Sequence, residues 1–311
     1  MGCTGNHEVK EEAKQPQIDN NNKQENKREV PNNNNEEIPK KNVQQASNNQ
    51  EGNQNTKYYQ NGIKYVGEIK NGVADGKGIL SFPDGRRVEG QFKNDNVQEG
   101  IFYLPDGSRY EGSFVNGVPE GEGTYYYKDG TKYEGTFKNG HPNGAGILYL
   151  EDKSEICANF VNGKPEGSVM IFYSNGDRYD GEFKGMKKEG KGKITFSNGN
   201  VYEGDFKNDL PMGKGVLTFD NGEKYEGDVQ CGIPQGQRIK YFNNCNRYEG
   251  NFCRCFPDGK VKMIFNDGNR YEGEIKTGLP HGKGVMHFAK DKKFEGNFKC
   301  GLSDMMSFNQ W

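Results

Sequence analysis

From residue 57 onward, one pattern of apolar and polar positions returns about every 23 residues. Its clearest copy begins at Tyr202. Tyr202 and Phe206 stand four positions apart with Gly204 between them, and the alternating Glu203, Asp205 and Lys207 are charged. Such alternation reads as a strand with one aromatic and one polar face, since successive side chains point to opposite sides. The polar stretch 208–212, which carries Pro211, predicts the hairpin loop. A second strand is expected over 213–219, placing Leu217 and Phe219 beside Tyr202 and Phe206. Asp220-Asn221-Gly222 predicts a tight turn into the next copy, because Asn-Gly supplies the positive φ of two-residue hairpin turns. Each unit is thus expected to be one β-hairpin.

The units open at Tyr65, Val88, Tyr110, Tyr133, Ile156, Tyr179, Tyr202, Tyr225, Tyr248, Tyr271 and Phe294. Every interval is 23 residues except the 22 between Val88 and Tyr110, where the missing residue falls between Lys93 and Gly100. A fixed period sustained this long means a repeat architecture. The predicted fold is all-β: an elongated, single-layer antiparallel meander of about ten 23-residue hairpins over residues 57–311, preceded by a disordered tail over residues 1–56. Two strands at about 4.8 Å advance the array by about 10 Å per unit, so ten units span roughly 100 Å. The aromatic stripe should be the core, each unit burying its neighbour's rings. The other face is less polar than a solvated face should be, with Ile79, Ile147, Met170, Val216, Ile239 and Val285 on it. Either long side chains of the same chain cover that stripe, or another protein does, a second copy included. Tyr58 to Gly62 should supply a lone strand at the start of the array, and the segment from Phe294 to Trp311 a C-terminal cap.

The unit resembles the MORN repeat (membrane occupation and recognition nexus), whose pattern is Tyr-Glu-Gly-x-Trp/Phe, a polar turn, Gly-x-Gly, an apolar run and Asn/Asp-Gly. Tyr271-Glu272-Gly273, Gly282-Lys283-Gly284 and Phe288 carry it here. Three units depart from it: Ile156-Cys157-Ala158 replaces Tyr-Glu-Gly, and Gln237-Arg238 and Lys260-Val261 break the Gly-x-Gly. Those should be weaker members. The resemblance implies association with membrane junctions, the cell cortex and phosphoinositides, or a cytoskeletal or ciliary structural role.

Composition agrees with a thin sheet. Glycine contributes 45 of 311 residues, only 31% are hydrophobic, and the mean hydropathy is −1.05, too polar for a thick core. A net charge of −2 gives no basic field for nucleic acid. No apolar run is long enough to span a membrane, and the N-terminus lacks the apolar core of a signal peptide. The expected location is therefore intracellular, with reduced thiols. The first 56 residues contain no aromatic residue and are crowded with Asn, Gln, Glu and Lys, so they are expected to be disordered. They begin Met1-Gly2-Cys3, which makes Gly2 a candidate for myristoylation and Cys3 for palmitoylation; two chains anchor stably where one does not. Asn6 stands where the usual acylation pattern has Ser or Thr.

Catalytic chemistry is not legible. The Gly-x-Gly pairs lack the Lys-Ser/Thr of a phosphate loop. His7, His141, His281 and His287 have no partner spacing suited to zinc. Cys231, Cys253, Cys255 and Cys300 fall near one hairpin corner but in different units, mostly too far apart for one metal. No cofactor, metal site or enzymatic activity is expected. One charge cluster stands out in the sixth unit. Lys184, Lys187, Lys188, Lys191 and Lys193 outnumber Asp180, Glu182 and Glu189 at one hairpin loop. It is either a solvated loop or a contact for anionic lipid, worth about 1 kcal/mol per Lys near the surface. Elsewhere the lysine row at that position, Lys207 among it, is expected to be compensated by glutamates such as Glu203. The expected function is a non-catalytic scaffold binding proteins and acidic phospholipids at the cytoplasmic face of a membrane or the cell cortex. The alternative is a cytoskeletal or ciliary protein assembled through its repeats.

Overall fold

The computed structural model describes residues 55–242, 246–253, 256–276, 279–289, 292–299 and 302–303, without the side chains at 237–238, 252–253, 256–258 and 302–303. The expected tail up to residue 54, the acylation candidates Gly2 and Cys3, and Trp311 lie outside the described residues. The described chain is a single 23-stranded antiparallel sheet in which each strand pairs with those before and after it in sequence. No α-helix occurs among the described residues, only a 3-10 turn at Gln60–Gly62.

A typical unit is a seven-residue strand, Val201–Lys207, followed by a nine-residue strand, Leu210–Thr218. The turn between them is shorter than the pattern predicts. Asn208 and Asp209 alone make it, both with positive φ (49° and 69°), and Lys207 faces Leu210 directly. Asn and Asp tolerate the left-handed region, which a two-residue hairpin turn requires at both positions. Pro211 and Met212 therefore belong to the strand, and Pro211 sits opposite Phe206.

The surplus residues go into a bulge. Gly204 faces Gly215 and Phe206 faces Pro211, so Met212, Gly213 and Lys214 stand opposite Asp205. This explains Gly-x-Gly. Gly213 has φ of 75°, which a bulge of this kind demands. Gly215 is needed for space: a Cβ there would run into the Tyr202 ring, which lies across the Gly204–Gly215 pair. In the 22-residue unit the bulge opposite Gln91 and Phe92 is one residue shorter, as the missing residue requires.

The Asp-Gly end also differs from expectation. At Asn221-Gly222 only the glycine has positive φ (84°), the Phe219 N–H donates to the Glu223 carbonyl, and the Gly222 N–H donates to the Phe219 carbonyl. That is the wider connection built on one left-handed residue, and the two-residue turns sit at the opposite hairpin end.

The core lies on the aromatic face, as the alternation predicts. Tyr65, Tyr133, Tyr179, Tyr202 and Tyr271 have no exposed surface although, among the described residues, no second layer covers them. Each ring lies flat on a glycine pair and is walled by phenylalanines edge-on. Tyr202 meets Phe206 of its own unit at 5.3 Å, and Tyr179 meets Phe206 of the next at 5.2 Å. Such pairs contribute about 0.5–1.5 kcal/mol beyond their burial. The hydroxyls escape isolation by donating to a main-chain carbonyl three residues on, as Tyr202 does to Asp205 (3.1 Å) and Tyr133 to Thr136 (3.1 Å). Burial pushes the Tyr202 and Tyr133 hydroxyls up to about 12, so they stay protonated donors.

The start of the array is locked by an ion pair. Strand Thr56–Tyr58 pairs with Lys64–Lys70, and its Lys57 reaches Asp95 at the tip of the second hairpin. Both side chains are about 95% buried. Asp95 also accepts from the Tyr59 hydroxyl (2.7 Å) and the Ala74 N–H (2.8 Å), while Lys57 donates as well to the Gly72 carbonyl (2.8 Å). Burial pushes the Asp95 carboxyl up, but these donors outweigh it and hold it below the usual carboxylate range.

Candidate functional site

Two surfaces remain once the aromatic face is assigned to the core: the second face and the row of two-residue hairpin tips.

The second face is covered by the chain's own long side chains. Arg87, Tyr103, Arg109, Tyr126, Lys132 and Tyr149 are cross-strand neighbours in unbroken register. Each cation lies over a ring: Arg87 over Tyr103 at 4.4 Å, Arg109 over Tyr126 at 3.8 Å and Lys132 over Tyr149 at 4.2 Å. Each also pairs with the carboxylate two residues on, Arg87 with Glu89 (3.0 Å), Arg109 with Glu111 (2.8 Å) and Lys132 with Glu134 (2.6 Å). These contacts are individually modest, about 0.5–1 kcal/mol. Together they screen the apolar row beside them, where Ile101 and Ile147 are half-buried. These three glutamates are therefore engaged with the ladder cations; at the tips, Lys70 pairs with Asp75 at 3.0 Å. Ile79 and Met170 in the same row stay 38% and 39% exposed.

The fifth unit breaks the ladder. Glu155 occupies the cation position, between Tyr149 and Phe172, and Cys157 occupies the acid position, between Ile147 and Met170. The nearest ladder cations are already engaged, Lys132 with Glu134 and Arg178 with Asp180. The alternation did not single out Glu155. The available signal was the residue preceding each unit start, which is a cation in most units and an acid only here.

The five sixth-unit lysines do not form one cluster. The turn is Gly185-Met186, both with positive φ, so Lys187 faces Lys184 and Lys188 faces Phe183. That count places Lys188 on the aromatic face. There its ammonium donates to the Tyr173 hydroxyl (2.9 Å) and lies 5.1 Å from that ring and 5.5 Å from the Tyr179 ring. Lys191 pairs with Asp205, and Lys193 stands 3.9 Å from Glu203. Lys184 and Lys187 remain exposed at the tip, like charges directly opposite each other. The nearby acids are occupied elsewhere. Glu182 accepts from the Lys191 N–H (3.2 Å) and Glu189 from the Asn208 N–H (3.0 Å).

Among the described residues no group of three or more His, Cys, Asp or Glu is placed to hold a metal ion, and no helix is long and apolar enough to cross a membrane. Cys157 is half-buried and Cys231 exposed, both as free thiols; the side chains of Cys253, Cys255 and Cys300 lie outside the described residues.

Six segments match the family model of the MORN repeat: residues 65–86, 110–132, 133–155, 179–201, 202–224 and 271–292. Their first residues coincide with six unit starts read from the alternation. The units opening at Ile156, Tyr225 and Tyr248, which carry the three departures, are not among them. The curated proteins contain no match. Among solved structures, the TCP10 domain of Danio rerio CPAP in complex with a peptide of Danio rerio STIL is similar at TM-score 0.38 and 13% identity, over 79% of this chain and 100% of that one. The TCP domain of SAS-4 (dCPAP) of Drosophila melanogaster, in complex with a proline-rich motif of Ana2, is similar at TM-score 0.35 and 13% identity, over 50% and 85% of the two chains.

Proposed function

Because the chain is a MORN-repeat protein, we propose that it is a non-catalytic scaffold, holding other proteins and acidic phospholipids at the cytoplasmic face of a membrane or the cell cortex. The observation that carries the lipid contact is the sixth hairpin tip. Lys184 and Lys187 face each other across a two-residue turn, while Glu182 and Glu189 are bound to main-chain N–H groups. Placing like charges opposite each other costs some stability, and an anionic headgroup would recover it. Lys191 and Lys193 contribute less, because each faces a carboxylate on the next strand. Acyl chains on Gly2 and Cys3 would supply the stronger anchor, since about 0.8 kcal/mol per buried CH₂ exceeds what a few screened lysines provide. The test is co-sedimentation of the bacterially expressed, unacylated chain with phosphatidylcholine vesicles containing or lacking phosphatidylserine. Binding only to the acidic vesicles, weakened by Lys184→Gln with Lys187→Gln, supports the reading; equal binding to both compositions refutes it.

The alternative reading is a cytoskeletal or ciliary protein assembled through its repeats. It is favoured by the exposed Ile79, Met170 and Phe172, which lie on the broad second face. Localisation of Gly2→Ala separates the two: release into the cytosol supports membrane anchoring, and unchanged placement supports assembly through the repeats.

A further inference from the structure

The break in the second-face ladder has the composition of a recognition site. In the second, third and fourth units the chain lays its own cation over a ring and neutralises it with a carboxylate two residues on. The fifth unit inverts this. Glu155 places a carboxylate between the rings of Tyr149 and Phe172; its own strand supplies no cation, and the cations over those two rings, Lys132 and Arg178, are paired with Glu134 and Asp180. One row inward the acid is replaced by Cys157, so Ile147, Cys157 and Met170 follow one another across the strands without an acid between them, and the Arg178 guanidinium reaches the Met170 sulfur at 3.3 Å. Met170 and Phe172 are each 39% exposed, and Ile79 in the Met170 row is 38% exposed.

We propose that this break docks an extended segment of a partner protein through an arginine or lysine that pairs with Glu155 and an apolar residue that covers Met170 and Cys157. The charge complementarity is specific. The rings of Tyr149 and Phe172 already carry Lys132 and Arg178 (4.2 and 5.4 Å), so the incoming guanidinium or ammonium is recognised by ion pairing with the Glu155 carboxylate, and arginine suits it best because its planar fork can meet a carboxylate with two hydrogen bonds. The two rows are two residues apart along each strand, about 7 Å, so one extended segment can reach both with residues i and i+2. An acidic membrane surface is disfavoured at this spot by Glu155 itself, and a second copy presenting the same patch would bring like charges together. The site deepens the scaffold reading and rests on it, yet it lies apart from the lysine tip.

The experiment is selection of a random dodecapeptide phage library on the full chain, followed by fluorescence anisotropy of the enriched peptides. The expected result is enrichment of an arginine or lysine within two residues of a large apolar side chain. Binding should fall at least tenfold for Glu155→Lys and for Met170→Glu, and stay unchanged for Glu203→Lys, an acid on the same face two units away. Glu155 is only half-buried, so its variant is expected to fold, which the melting temperature verifies. The proposal is overturned by a failure to enrich, by peptides without a basic residue, or by peptides that bind Glu155→Lys as tightly as wild type. It is also overturned if sedimentation shows a wild-type dimer that Met170→Glu splits. Vesicle binding should persist in Glu155→Lys, so failure here and failure of the scaffold reading are read separately.

Discussion

Replacing Phe206 by alanine tests the claim that one face of a single-layer sheet serves as the core. The ring is 4% exposed and walls two tyrosines edge-on, Tyr202 at 5.3 Å and Tyr179 at 5.2 Å. Removing a buried phenylalanine costs about 3–5 kcal/mol. The value should lie toward the upper end, because two aromatic pairs, each worth about 0.5–1.5 kcal/mol, are lost with it. Tyr179 and Tyr202 belong to successive units, so the change also weakens the coupling on which a repeat array depends. Glu203→Ala is the control from the opposite face. Its side chain is 68% exposed and stands 3.9 Å from Lys193, so removing it should cost no more than about 0.5 kcal/mol. Urea unfolding of the full chain, followed by circular dichroism at the strand minimum, measures both. The expected result is a large midpoint shift for Phe206→Ala, with the transition broadened or split as the two halves uncouple, and almost none for Glu203→Ala. Equal shifts, or a loss below about 1 kcal/mol for Phe206→Ala, would refute the assignment of faces.

Asp95→Ala should cost about 3–5 kcal/mol at neutral pH, because it leaves Lys57 buried without its partner. The Asp95 carboxyl is held below its ordinary value, so its stabilisation is present above the unfolded pKa of about 3.9 and disappears as pH falls through the lower folded value; the difference in melting temperature between wild type and Asp95→Asn should shrink over that acid window. Gly215→Ala should destabilise by about 1–3 kcal/mol, since the new methyl group meets the Tyr202 ring, whereas Lys214→Ala on the exposed bulge beside it should be nearly silent in the same melt. In cells, Gly2→Ala should release the protein to the cytosol, while glutamine at Lys184 and Lys187 should weaken attachment only partly. High salt should reproduce the lysine effect and not the Gly2 effect, as vesicle or membrane fractionation will register.

The 23-residue spacing determined much of this protein without any structure. Strand character, the aromatic face and the order of the sheet all follow from a period of two inside a period of 23, and neighbouring units pair because they are adjacent in sequence. Tyr202 and Phe206 had to share a buried face wherever the turns fell. The turns themselves were decided in three dimensions. Asn208-Asp209 closes the hairpin in two residues, and the bulge at Gly213 absorbs what the sequence suggested was loop. That count decided the lysines: with the turn at Gly185-Met186, Lys188 crosses to the aromatic face, and only Lys184 and Lys187 remain together at the tip. Pairings between units were equally hidden. Lys57 and Asp95 meet across 38 residues, and Glu155 gains its meaning only beside Tyr149 on one strand and Phe172 on the next. Alternation along a strand reports which side a residue faces, while its cross-strand neighbours depend on register, which turn and bulge lengths set.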